Sequence, residues 1–193
     1  RSEFEVGTEL QLFQNKIAHD LTYFNRIDDE LPVTVPLDGS TGFSSIVFNT
    51  GKQTTDGFEI GLSGNVIDNE DFTWEVGVNF ATLKKFVDEI YEGIDSRDLS
   101  TYTSNMKLQE RVGQEWGLFY GRGFATGANG EIMYRASSGG RYFYSLRPNK
   151  FICSLLPDFT GGITTTFRYK NLDLFLGFDG QSGGNYYSRT ERY

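Results

Sequence analysis

The single histidine, His19, and the single cysteine, Cys153, limit the covalent chemistry open to this 193-residue sequence. A Ser-His-Asp relay needs a serine held on a strained elbow, and no G-x-S-x-G stretch supplies one. His19 lies in the middle of an alternating stretch and reads as strand filler. A lone cysteine permits no intrachain disulfide, and nothing around Cys153 marks it as a nucleophile. The run Gly121-Arg122-Gly123-Phe124-Ala125-Thr126-Gly127 misses the G-x-G-x-x-G spacing and lacks the strand-to-helix context of a phosphate cradle. Asp68-Asn69-Glu70-Asp71 does not follow the D-x-[DN]-x-[DN]-G ladder of a calcium loop and reads as a solvated turn. The residues therefore predict no catalytic group, no metal site and no cofactor.

What remains is non-covalent recognition. Between residues 84 and 159, Trp116, Tyr120, Tyr134, Tyr142 and Tyr144 are interleaved with arginines, Arg141 among them. Exposed rings of this kind stack on sugars or anchor a partner, with Arg favoured beside them. They can equally pack a small core of their own or join an aromatic belt at a membrane edge. A second group is acidic: Glu3, Glu5, Glu9, Asp20, Glu59 and Glu75 all fall on the polar side of alternating stretches. Such a face contacts a solute or an internal partner, or is simply solvated.

The elements that carry these residues are strands. Phe4, Val6, Thr8, Leu10 and Leu12 alternate with Glu3, Glu5, Gly7, Glu9 and Gln11, and the pattern returns through Ile17, His19, Leu21 and Tyr23. This period of two predicts a first hairpin over about 3–25. A second, over about 53–83, contains the clearest stripe, Phe72, Trp74, Val76, Val78 and Phe80. A third, over about 161–180, turns tightly at Lys170-Asn171. The stretches 26–52 and 84–159 read as long loops, with room for a few further strands in the second. Short turns on one side and long loops on the other are the asymmetry of outer-membrane barrels. Strands of about ten residues match a tilted bilayer crossing. The pattern alone leaves a soluble antiparallel sandwich open, although a loop as long as 84–159 is foreign to compact soluble domains.

Composition agrees with many strands and turns. There are 23 glycines, 16% aromatic residues and only 4 prolines. With 18 Lys and Arg against 26 Asp and Glu, the net charge of −8 excludes a general nucleic-acid binder and a polybasic membrane-surface protein. No apolar run reaches the ~18 residues of a transmembrane helix, and no signal peptide opens the sequence.

Seven stretches, in order, resemble the C-terminal barrel region of the SusC/RagA family of TonB-linked outer-membrane receptors. They are Phe4-Glu5-Val6-Gly7-Thr8-Glu9 with Leu12-Phe13-Gln14-Asn15-Lys16 and Asp20-Leu21-Thr22-Tyr23-Phe24-Asn25; Leu31-Pro32-Val33-Thr34-Val35-Pro36 with Thr41-Gly42-Phe43-Ser44-Ser45; Asp56-Gly57-Phe58-Glu59; Phe72-Thr73-Trp74 with Val78-Asn79-Phe80; Val112-Gly113-Gln114 with Tyr120-Gly121; Pro157-Asp158-Phe159-Thr160-Gly161-Gly162; and Asp179-Gly180-Gln181-Ser182-Gly183-Gly184. The stretch between Tyr134 and Pro157 departs from the family wording and is expected to be specific to this protein's ligand or partner.

The resemblance implies an all-β fold, an antiparallel transmembrane β-barrel segment forming part of a 22-stranded barrel. It implies that the plug domain and the TonB-contacting segment lie outside this sequence, and that residues 1–193 are partial barrel. It further implies a bacterial outer-membrane importer of oligosaccharides or peptides, without covalent chemistry. The implied partners are a SusD-like surface lipoprotein, the TonB–ExbB–ExbD complex reached through the missing N-terminal part, and the lipid bilayer. Glu3, Glu5, Glu9, Asp20, Glu59 and Glu75 would then face the lumen, and Trp116, Tyr120, Tyr134, Arg141, Tyr142 and Tyr144 would belong to an extracellular loop. Two other functions stay open: a soluble or surface β-sandwich that binds glycans, and a structural subunit of an outer-membrane secretion or adhesion complex.

Overall fold

The structure is a computed structural model. It describes residues 1–103, 106–137, 139–140, 142–188 and 190, with only the backbone of 142 and 143. Six long strands form one antiparallel sheet. They are β1 (Ser2–Leu12), β2 (Ile17–Pro36), β3 (Ser45–Asp68), β4 (Phe72–Glu89), β11 (Pro157–Tyr169) and β12 (Leu172–Gly183), and each pairs with the next in that order. Between β4 and β11 the chain builds an insert. It contains a four-stranded sheet of β5 (Ser96–Thr103), β6 (Met106–Arg111), β7 (Leu118–Phe124) and β10 (Leu146–Ser154), and a small hairpin of β8 (Tyr134–Ala136) and β9 (Tyr142–Tyr144).

The period-two pattern works as expected because opposed residues in an antiparallel ladder point to the same side. The register puts Phe4, Val6, Leu10, Leu21, Ile60, Val78, Ile163 and Phe178 on one face. These side chains are exposed, Phe4 by 62% and Phe178 by 64%, and among the described residues no second sheet covers them. A soluble sandwich would bury this face; here the sheet stands open on it.

The same apolar face is bordered by rings at two levels. Toward the short turns, Phe167 lies 5.6 Å from Trp74 and 6.4 Å from Phe72, centroid to centroid. Trp74 Nε1 donates to Thr165 Oγ1 at 2.8 Å, which gives the indole N–H a partner. Toward the other end, Tyr23 and Phe58 are 4.9 Å apart and Phe80 and Phe159 5.4 Å. From Phe72 to Thr82, the level of Tyr23 and Phe58, β4 runs about 33 Å along the strand, or about 25 Å vertically at a ~40° tilt. That equals the apolar band of an outer-membrane barrel between its aromatic girdles.

All three short turns lie at one end. Asn65 N near the end of β3 donates to Lys16 O of the first turn at 3.0 Å, and Lys170 N of the third turn to Asp71 O of the second at 3.1 Å. Lys170 itself sits in the left-handed region at φ 51. The opposite end carries everything long.

That end differs from the sequence expectation in two places. Residues 26–52 are strand for most of their length: β2 and β3 run past the apolar band and close in a hairpin around the short 3₁₀ turn Gly39–Thr41. Register shifts near Asp28, Leu31 and Pro32, and a positive φ of 56 at Glu30, interrupt the alternation and hide the strand from a periodicity reading. Residues 84–159 are likewise no structureless loop. β4 continues to Glu89, β11 begins at Pro157, and six short strands lie between. Their shifts between Asp98 and Ser100, and between Arg147 and Lys150, break the period in the same way.

Candidate functional site

The polar face of the six-stranded sheet is built by the register. Glu9 pairs with Asp20, Asp20 with Gly61, Gly61 with Asn79, Asn79 with Gly162 and Gly162 with Asp179, one row across all six strands. The rows above and below bring in Glu5, Glu59 and Glu75. Glu3, Glu5, Glu9, Asp20, Glu59 and Glu75 therefore share one face, opposite the apolar one. Glu3 is held by Arg1, whose Nη2 lies 2.5 Å from Glu3 Oε2. The other five, and Asp179, form no ion pair among the described residues.

A concavity of about 760 Å³ opens on this face, lined by Asp20, Glu59, Asn79, Thr160, Asp179 and Gln181. Its floor depends on glycine. A Cβ at Gly162 would stand 2.5 Å from Asp179 Oδ1 and 2.8 Å from Asn79 Oδ1, so a larger residue would push both polar groups aside. The site offers carboxylate and amide oxygens to a solute or a packed partner. Its lining contains no Ser, Cys or His. His19 lies on the other face, paired with Leu10 and Leu62. Among the described residues no group of His, Cys, Asp and Glu is arranged to hold a metal.

The insert carries the other candidate residues and separates them. Tyr120 is buried: its hydroxyl donates to Gln114 Oε1 at 2.6 Å and the Arg111 guanidinium sits 3.5 Å from its ring centre. Trp116 is half-buried beside the cluster of Val33, Val35, Val87 and Ile90, with Lys85 Nζ 4.9 Å from its ring. Tyr120 serves the insert's own packing, and Trp116 packs the insert onto the six-stranded sheet. Tyr134 and Tyr144 are exposed and lie 5.2 Å apart, and Phe124 extends the row at 5.0 Å from Tyr144. Arg141 lies outside the described residues; Tyr142 contributes its backbone to β9.

A residue group missed by sequence reading is Glu110 with its partners. Glu110 is 2% exposed, ion-paired with Arg97 through Oε1, and its Oε2 accepts from Gln53 Nε2 of β3 at 3.2 Å. Only the three-dimensional contact across 57 positions reveals it. Nearby, Asp98 accepts from Lys107 and from Gln109 Nε2, each at 2.6 Å. Partial burial alone would raise the Asp98 pKa, but these hydrogen bonds, with the charges of Lys107 and Arg111, outweigh it and hold the carboxyl below its usual value.

An antiparallel meander with one ringed apolar face and one polar, glycine-floored face is a stretch of outer-membrane β-barrel. Comparison with known proteins carries this further. The chain is 28% identical to TonB-dependent receptor P3 of Formosa agariphila over 208 residues, covering 97% of this chain and 21% of the relative. It is 24% identical to TonB-dependent receptor P26 of the same organism, covering 99% and 21%. Among solved structures, the RagAB peptide transporter superposes with a TM-score of 0.70 at 19% identity, covering 92% of this chain and 20% of that one. The RagAB peptide importer in its open-open state gives 0.71 at 17% identity, covering 94% and 20%. No family model matches the chain. The resemblance read from the sequence thus holds: the relatives are TonB-dependent receptors, and the structural neighbours share the fold. The chain spans about a fifth of the length of these relatives.

Proposed function

We propose that this chain is wall and extracellular surface of a TonB-dependent importer for oligosaccharides or peptides. The observation that carries the reading is the two-faced six-stranded sheet: an exposed, ring-bordered apolar face backed by a polar face with a concave, acidic row. In this reading the apolar face meets lipid, and Glu3, Glu5, Glu9, Asp20, Glu59 and Glu75 line the lumen. Tyr134 and Tyr144, with Arg141 and Tyr142 beside them in sequence, contact ligand or partner outside the cell. The intact polypeptide works with a SusD-like surface lipoprotein and draws energy from TonB–ExbB–ExbD through segments outside this sequence. The peptide cargo named for the RagAB transporter supports this reading.

The test is uptake by cells carrying the full-length receptor. Labelled oligosaccharide and peptide mixtures are offered with the TonB system active or inactivated. TonB-dependent accumulation of either class supports the importer. Uptake indifferent to TonB, or a receptor recovered only within a secretion or adhesion assembly, sinks it.

A further inference from the structure

Above the acidic row the polar face changes character. Along β3, Gly51, Gln53, Thr55 and Gly57 are buried, whereas the residues between them, Lys52, Thr54 and Asp56, remain partly exposed. The register sets Gln53 opposite Val87 and Thr55 opposite Lys85, on the face that carries Glu59 and Gly61 lower down. Something therefore covers the upper part of this face and stops at Glu59, which is exposed. The cover is the insert. Its segment 113–116 adds to the top of β4 by backbone hydrogen bonds: Gly113 N to Val87 O at 2.8 Å, Val87 N to Gln114 O at 3.0 Å and Trp116 N to Lys85 O at 2.7 Å. Ile90, Ile94 and Trp116 then pack on Val33 and Val87. Glu110 reaches across to Gln53 and is itself held by Arg97.

We propose that the insert, residues 90–156, is a fixed roof folded over the entrance to the polar lumen, and that Glu110 is the positioning residue that fastens it there. This rests on the reading above that the polar face is the lumen wall. The roof is apolar where its Ile90, Ile94 and Trp116 lie on Val33 and Val87, and such contacts carry no direction. The buried carboxylate is different. Arg97 of the insert holds one oxygen and Gln53 of the wall the other, so displacement of the insert would strip a buried charge of its wall-side donor. Fastening by such a group fixes the roof at one height above the concavity. Solutes are thereby admitted past a rigid rim and not through a mobile loop.

The test uses the full-length receptor in intact cells, in a Cys153→Ser background, with a single reporter cysteine at Glu59→Cys just below the roof. The probe is a membrane-impermeant methanethiosulfonate bearing a trimethylammonium group. Glu110→Ala is expected to speed labelling at this site several-fold. Glu110→Gln, which keeps an acceptor oxygen for Gln53, is expected to give a smaller rise. A reporter at Arg147→Cys, on the exposed strand β10, keeps its rate in every background. If Glu110→Ala fails to assemble, Gln53→Ala removes the wall-side partner and is read the same way. Equal rates at Glu59→Cys with and without the carboxylate overturn the roof. A third reporter, Ile163→Cys, separates the two readings. If it labels as fast as Glu59→Cys from outside, the lumen assignment itself has failed.

Discussion

Ile90 is 1% exposed and Val87 is fully buried, although both lie at the end of the sheet that a periodicity reading leaves as loop. Removing the Ile90 side chain beyond Cβ is expected to destabilise the insert by about 2–5 kcal/mol, since the cavity opens inside a four-residue cluster that cannot readily collapse. Hydrogen exchange of the amides of Gly113, Gln114 and Trp116 in Ile90→Ala reports this loss directly. Asp98 makes a prediction of opposite kind. Its folded pKa lies below the ordinary carboxylate value of about 3.9, so its contribution is present above that pH and is lost as pH falls through the folded value. Proteolysis of the insert is therefore expected to accelerate on acidification, and Asp98→Asn to flatten that dependence. The group is over a third exposed, so high salt should shrink the effect. At this scale the sequence shows residue types but not their fates. Tyr120 and Tyr134 are the same residue in the same segment, yet one is sealed under Arg111 and the other stands free. The sheet that each joins decides between them, Tyr120 in the four-stranded sheet and Tyr134 in a separate two-stranded hairpin, and such long-range placement leaves little mark in a sequence.

Strands show the reverse. The stripe Phe72, Trp74, Val76, Val78 and Phe80 and the pair around Lys170-Asn171 are legible because unbroken alternation specifies both the face and the register. The upper parts of β2 and β3 are illegible because Pro32, Pro36 and the Asp28-Asp29-Glu30 run look like loop chemistry, while long-range pairing keeps them extended. The face assignment is checked by a matched pair of substitutions on β11. Ile163 pairs with Val78 and Phe178 in the middle of the apolar band. Ile163→Arg is expected to cost about 2–4 kcal/mol on a lipid-facing surface, and Thr164→Arg, one residue on, far less. Heat-modifiable migration of the full-length receptor, compared between the two variants, gives the measurement. Equal losses would mean that the two faces are not solvated differently.

Viewed whole, the sheet is open. The outer edges of β1 and β12 have no partner strand among the described residues, and each unpaired backbone group in hydrocarbon costs several kcal/mol. The remainder of a longer wall is what such edges require, in keeping with a chain that spans about a fifth of its relatives. The polar side carries the charge imbalance: Glu5, Glu9, Asp20, Glu59, Glu75 and Asp179 form no ion pair among the described residues. A field of that sign enriches cations near the wall. At an Asn79→Cys reporter, a trimethylammonium thiol reagent is expected to react faster than a sulfonate one, with the gap closing as ionic strength rises. The insert's position gives the barrel a problem of order in time. β4 and β11 lie side by side, yet residues 90–156 separate them along the chain. Zipping these two strands around an unstructured span would carry the full entropy of closing a long loop, and non-local pairing of this kind is slow. An insert that folds early, through its own local pairs β5–β6 and β6–β7, brings the ends of the span together and turns a distant encounter into a near one. The roof is then also a folding splint, and variants that loosen it are expected to slow assembly of the wall even where the finished wall is unchanged.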